Sequence, residues 1–123
     1  MEKRANPDDL HNEADLLLAR SDDDLYSLLV SEEDRAATAF SRSGLVARGR
    51  EIFRLTWQDL RAVVCTHYRK HEKTINSRVD LVVLVATPLI GHPALAGISV
   101  VTFAALVVKI GVVQLCAEKS ENA

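Results

Sequence analysis

The sequence predicts an all-α fold: a small helical bundle in which amphipathic N-terminal helices pack on an apolar C-terminal helical hairpin. Apolar residues recur at spacings of three, four and seven, the period of a helix with one buried side. Three serines are each followed three residues later by an aspartate, the form of a helix start. Five glycines and three prolines in 123 residues are too few for a turn-dense β fold. The length suits one domain over 1–123, able to bury about two thirds of its unfolded surface.

The acidic helices are placed at 8–41. Leu10, Leu17 and Leu18 share one face, and Leu25, Leu28 and Leu29 share another. Ser21 begins the run Ser21-Asp22-Asp23-Asp24. Its hydroxyl can accept from a free amide of the first turn, and the acids suit the positive end of the helix dipole. Ser31-Glu32-Glu33-Asp34 repeats the form, so one short helix ends near Val30 and another begins. Capping also accounts for the three consecutive aspartates better than a cation site does. Neighbouring helical positions point in different directions, and no EF-hand spacing follows.

The basic helix is placed at 45–72. Val46, Phe53, Trp57, Leu60, Val64 and His67 form its stripe, widened by Leu45, Ile52, Val63 and Tyr68. Arg48, Arg50, Arg54, Arg61 and Arg69 lie largely off it. The segments 41–44 and 73–77 read as linkers. Trp57, Leu60 and Val64, with Leu17 and Leu28, are expected to face the hairpin.

The hairpin is placed at 78–118 and opens at Ser77-Arg78-Val79-Asp80. Between Leu81 and Val108 only His92 can ionise, over 28 residues. That exceeds the ~20 residues needed to cross a bilayer. The local chemistry divides it. Pro88 blocks an amide, Gly91 suits a helix end, and Pro93 suits the first position of a new helix. A helix from Arg78 to about Thr87 or Ile90 is then too short to span. A second, from Pro93 to about Glu118, is interrupted by Lys109, which costs about 2.5–3.5 kcal/mol near a bilayer centre. Ser99, Thr102 and Lys109 on one thin stripe suit a nearly buried helix of a bundle.

Charge is strongly segregated. Residues 1–34 carry eleven acids and three bases, 35–78 ten bases and three acids, and 79–123 three acids and two bases, for a net −2. The acidic and basic thirds can neutralise each other, or the basic third can face an anionic partner. Arg69, Lys70, Lys73 and Arg78, just before the hairpin, are the candidates for such a contact. Nucleic acid is not expected. Trp57 and Phe53 lie on the apolar stripe and cannot stack on bases, and the sequence pI is about 6.1.

No catalytic motif, metal site or cofactor loop is read. His67 and His71 stand one turn apart, but Cys65 lies on another side of the helix and no HExxH pattern follows. These histidines suit a helix C-terminus. Cys65 and Cys116 have no CxxC spacing and are expected as small buried apolar groups in a reducing compartment. The polar start MEKRANPDDLHNEAD lacks the apolar core of a secretory signal, so a cytoplasmic location is expected.

The hairpin is richer in apolar residues than the other helices look able to cover. An exposed apolar patch is therefore expected, formed by Leu84, Leu89, Ile98, Val101, Phe103, Val108 and Val112. The functional expectation is a non-enzymatic interaction or regulatory subunit that joins itself or a larger protein through that hairpin. The alternative is an effector whose hairpin, 79–117, enters an anionic membrane.

Overall fold

The computed structural model describes residues 7–38 and 41–117. Helices α1 (Pro7–Leu18), α2 (Asp22–Leu28) and α3 (Glu32–Thr38) lead into the long α4 (Arg42–His71). A single 3-10 turn, Glu72–Thr74, precedes α5 (Arg78–Ala86). Two more such turns, Thr87–Leu89 and Pro93–Leu95, connect to α6 (Val100–Ile110), and α7 (Val112–Ala117) ends the described chain. There is no strand among the described residues, so the all-α bundle is the fold.

Serine starts five of these helices. The hydroxyls of Ser21, Ser31, Ser41 and Ser77 accept from the amides of Asp24, Asp34, Gly44 and Asp80, each at 3.1 Å. Ser99 accepts from the Thr102 amide at 3.2 Å. Each bond satisfies one of the amides that the first turn leaves free. Segment 41–44, expected as a linker, is therefore the cap and first turn of α4. The bond to Ser41 needs only the amide of Gly44, not an acid at that position.

The helix expected from Pro93 to about Glu118 is broken twice. Pro93 opens only one 3-10 turn, capped by His92, whose Nδ1 accepts from the Ala94 amide at 3.1 Å. Gly97 then adopts φ +80° and Ser99 starts α6. Gly111 adopts φ +121° and separates α6 from α7. Positive φ of this kind is open to glycine and strained for residues with a Cβ.

α6 is the axis of the core. Residues 101–108 are all buried, and α1, α2 and α5 lie against the helix. From α4, Phe53 reaches it, with its ring centroid 5.0 Å from that of Phe103. Leu60, Val64 and Leu17 are buried in the same core and Trp57 packs on its edge, as expected. Leu28 does not join them. It is 38% exposed, and the inward positions are taken by Leu25 of α2 and by Leu29, which caps that helix.

The expected apolar patch is covered. Leu89, Val101, Phe103, Val108 and Val112 are buried, and Leu84 and Ile98 are half-buried. Among the described residues the large apolar side chains left exposed are Leu16, Leu28, Leu55 and Val113, on four different helices, and Ile90, just after the second 3-10 turn. The coverage succeeds because α6 is short and central, so four neighbouring helices close around it. The cysteines are buried, as expected, but not as separate thiols. Cys65 of α4 and Cys116 of α7 form a disulfide across 51 residues of sequence.

Candidate functional site

The acidic and basic thirds meet along α2 and the first half of α4. Arg42 Nη2 lies 2.7 Å from Asp24 Oδ1, and Arg50 Nη2 lies 3.3 Å from Asp23 Oδ1. Arg50 also sits over the Tyr26 ring, 5.3 Å from its centroid, a cation–π position. Arg48 reaches Asp34 and Glu51, each at 3.7 Å. The bond from Arg42 holds the Asp24 carboxyl below its ordinary value of 3.8. This end of α4 is thus electrically quenched by the helices in front of it.

Cations also close the ends of the short helices. Arg35 donates to the Val30 carbonyl at 3.3 Å and to the Ser27 carbonyl. Lys109, with its side chain only 17% exposed, donates from Nζ to the Arg20 carbonyl at 2.7 Å and to the Leu18 carbonyl at 3.4 Å. Asp22 Oδ1 stands 3.5 Å from the same ammonium. The C-terminal end of α1, with its negative dipole and unsatisfied carbonyls, is the natural seat for that charge. The polar stripe expected on the second hairpin helix is therefore three separate devices. Ser99 is a cap, Thr102 is buried in the core, and Lys109 is a clasp on α1.

The other end of α4 is different. Arg69, Lys70, Lys73 and Arg78 all lie at the elbow joining α4 to α5, and all four are exposed. None of them forms an ion pair among the described residues. The elbow holds the histidines as well. The His67 and His71 rings stand 4.5 Å apart, and His71 Nδ1 donates to the His67 carbonyl at 3.2 Å. Burial, followed by the proximity of His71 and Lys70, pushes His67 below the ordinary 6.5. His11 of α1 approaches the same region, with Nε2 3.1 Å from Asp80 Oδ1 of α5.

Two grooves meet at His67. One, of about 430 Å³, is lined by Ala62, Val63, Thr66, His67, Lys70 and Pro88. The other, of about 280 Å³, runs past His11, His67, Asp80 and the half-buried Leu84. The hydroxyls of the elbow bond to the main chain. Thr74 donates to the His71 carbonyl at 2.8 Å, and Thr87 to the Val83 carbonyl at 2.7 Å. Among the described residues no group of three His, Cys, Asp or Glu side chains is arranged to hold a metal ion. The elbow thus sets four exposed cations beside two clefts whose walls mix apolar side chains such as Ala62, Val63, Val83 and Leu84 with polar ones such as His11, His67 and Asp80.

Of the residues singled out from the sequence, the structure gathers Arg69, Lys70, Lys73, Arg78, His67, His71 and Leu84 at one end of the bundle. Leu89, Val101, Phe103, Val108 and Val112 go to the interior instead. The His11–Asp80 contact and the disulfide have no local signal, because each joins residues far apart in the chain. No protein family, no curated protein and no solved structure matches the chain.

Proposed function

We propose that the chain is a non-enzymatic interaction subunit that receives an acidic segment of a partner protein, or of a second copy of itself, at the elbow of α4 and α5. One observation carries the reading: the four elbow cations are exposed and form no ion pair among the described residues, whereas Arg42, Arg48 and Arg50 at the start of α4 are neutralised by acids of α2 and α3. Unspent charge of one sign raises the rate of encounter with the opposite sign and fixes orientation. The grooves of about 430 and 280 Å³ beside it favour a protein over a flat anionic surface, since they can accept side chains.

Docking through the hairpin itself requires the bundle to open, because its central residues are inside the core. Insertion into a bilayer faces a further obstacle. No helix among the described residues is long and apolar enough to cross a membrane. The 11 residues of α6 extend only about 16 Å.

The test compares wild type with a Lys70→Glu/Lys73→Glu variant against acidic amphipathic peptides. Binding should weaken at least about tenfold in the variant, and in wild type it should fall as salt rises. Equal binding by both proteins removes the reading. Sedimentation at low and high salt distinguishes a second copy from a different partner.

A further inference from the structure

We infer that the Cys65–Cys116 disulfide is a redox switch: it holds α7 on α4, and its reduction by a protein dithiol frees α7 while the rest of the bundle stays folded. This does not depend on what the elbow binds. α7 has six residues, and it follows Gly111, whose φ of +121° breaks it from α6. A helix of that length has no stability of its own in water, so its place depends on what it touches.

Apart from the disulfide, those contacts are few. Val112 is buried and Leu115 packs at the edge of the core. Val113 is 62% exposed, and Gln114 and Ala117 are exposed as well. Among the described residues no side-chain hydrogen bond or ion pair joins α7 to another element. α1, by contrast, is clasped by Lys109 and by the His11–Asp80 pair, and α2 by Arg35, Arg42 and Arg50. The covalent bond is thus the main tie of α7. Segments with so few buried contacts are the ones that open locally.

Both cysteines are buried, Cys116 at 8% exposure and Cys65 at 4%, so the reductant is expected to approach from the Cys116 side. A groove of about 290 Å³ runs past Tyr68, Arg69, Glu72 and Val113 to Cys116. A reductant thiolate attacking Cys116 Sγ breaks the bond to Cys65, which leaves as a thiolate and takes a proton. The second thiol of the reductant then attacks its own sulfur in the mixed disulfide and expels Cys116 as a thiolate. Two electrons pass from the dithiol to the cystine, and the dithiol ends as a disulfide. Arg69 in the same groove favours the departing Cys116 thiolate. Release of α7 then uncovers Cys65 and the half-buried Tyr68 on α4.

The experiment reduces the native chain with a thioredoxin-type dithiol protein, titrates the thiols without denaturant and follows amide hydrogen exchange. The expected result is both thiols titrating, and exchange over 112–117 rising about tenfold or more while 101–108 stays protected. A Cys65→Ala/Cys116→Ala variant should show the same exchange pattern without reductant. Thiols that appear only after denaturation overturn the inference, because the bond is then unreachable. Loss of protection throughout α6 overturns it too, because the disulfide then staples the whole fold. Unchanged exchange at 112–117 after full reduction also overturns it, because α7 is then held without the bond.

Discussion

Gly49 of α4 lies so close to Tyr26 of α2 that a Cβ on Gly49 would stand 1.9 Å from the Tyr26 carbonyl oxygen. The obstacle is backbone, which cannot rotate aside as a side-chain tip can. A glycine inside a 30-residue helix costs about 1 kcal/mol relative to alanine, and here the cost sets how closely two helices approach.

Gly49→Ala should therefore destabilise the chain although it improves helix propensity. Overpacking costs about 1–3 kcal/mol, and the clash with main chain places this site at the upper end. After the propensity gain a net loss of about 2 kcal/mol is expected in urea unfolding. An unchanged or raised midpoint would mean that α2 slides freely on α4.

Lys109→Met keeps most of the side-chain stem and removes the ammonium. The carbonyls of Arg20 and Leu18 then lose their donor, and Asp22 loses a neighbouring cation. A fully buried acceptor left unsatisfied costs about 1–3 kcal/mol, and these carbonyls are only part-buried or exposed, so a loss of about 1 kcal/mol is expected. Faster hydrogen exchange is expected near the end of α1, together with a lower unfolding midpoint. If the variant is as stable as wild type, water replaces the clasp without loss.

Sequence period and caps carried the fold well where amphipathicity was strong. Val46, Phe53, Leu60 and Val64 marked the inner side of α4, and Ser21, Ser31 and Ser77 marked true helix starts. Legibility failed where nearly every position is apolar. Between Val100 and Val108 the pattern has almost no phase, so only Gly97, Ser99 and Gly111 could show the breaks. Cover for the hairpin was underestimated, because its burial depends on how many helices surround α6, a tertiary fact. Of the elbow, the four cations were legible as a cluster. Their lack of ion-pair partners among the described residues was not, since it depends on which arginines face α2 and α3.

The disulfide closes a loop of 51 residues, which removes conformations from the unfolded chain. Loop-closure entropy for that length is worth about 4 kcal/mol. The Cys65→Ala/Cys116→Ala variant should lose roughly that amount in denaturant unfolding while keeping its helical circular dichroism. A loss near zero would mean that the unfolded chain already holds α4 and α7 together.

Two titrations should give stability a two-step dependence on pH. His67 has a folded pKa below its unfolded value near 6.5, mainly because burial disfavours the charged ring. As pH falls through 6.5 the unfolded chain takes up this proton before the folded chain does, so stability declines and then levels below the folded pKa. Asp24 acts lower on the scale. Its folded pKa lies below 3.8, so its stabilising contribution is present above that value and is lost as pH falls through the folded pKa. His67→Gln should flatten the upper step and leave the lower one, and Arg42→Gln should shrink only the lower. Unfolding midpoints measured from pH 8 to pH 3 separate the two. An upper step that survives His67→Gln would assign it to another histidine, and an Arg42→Gln variant that changes the upper step would break the independence of the two ends of α4.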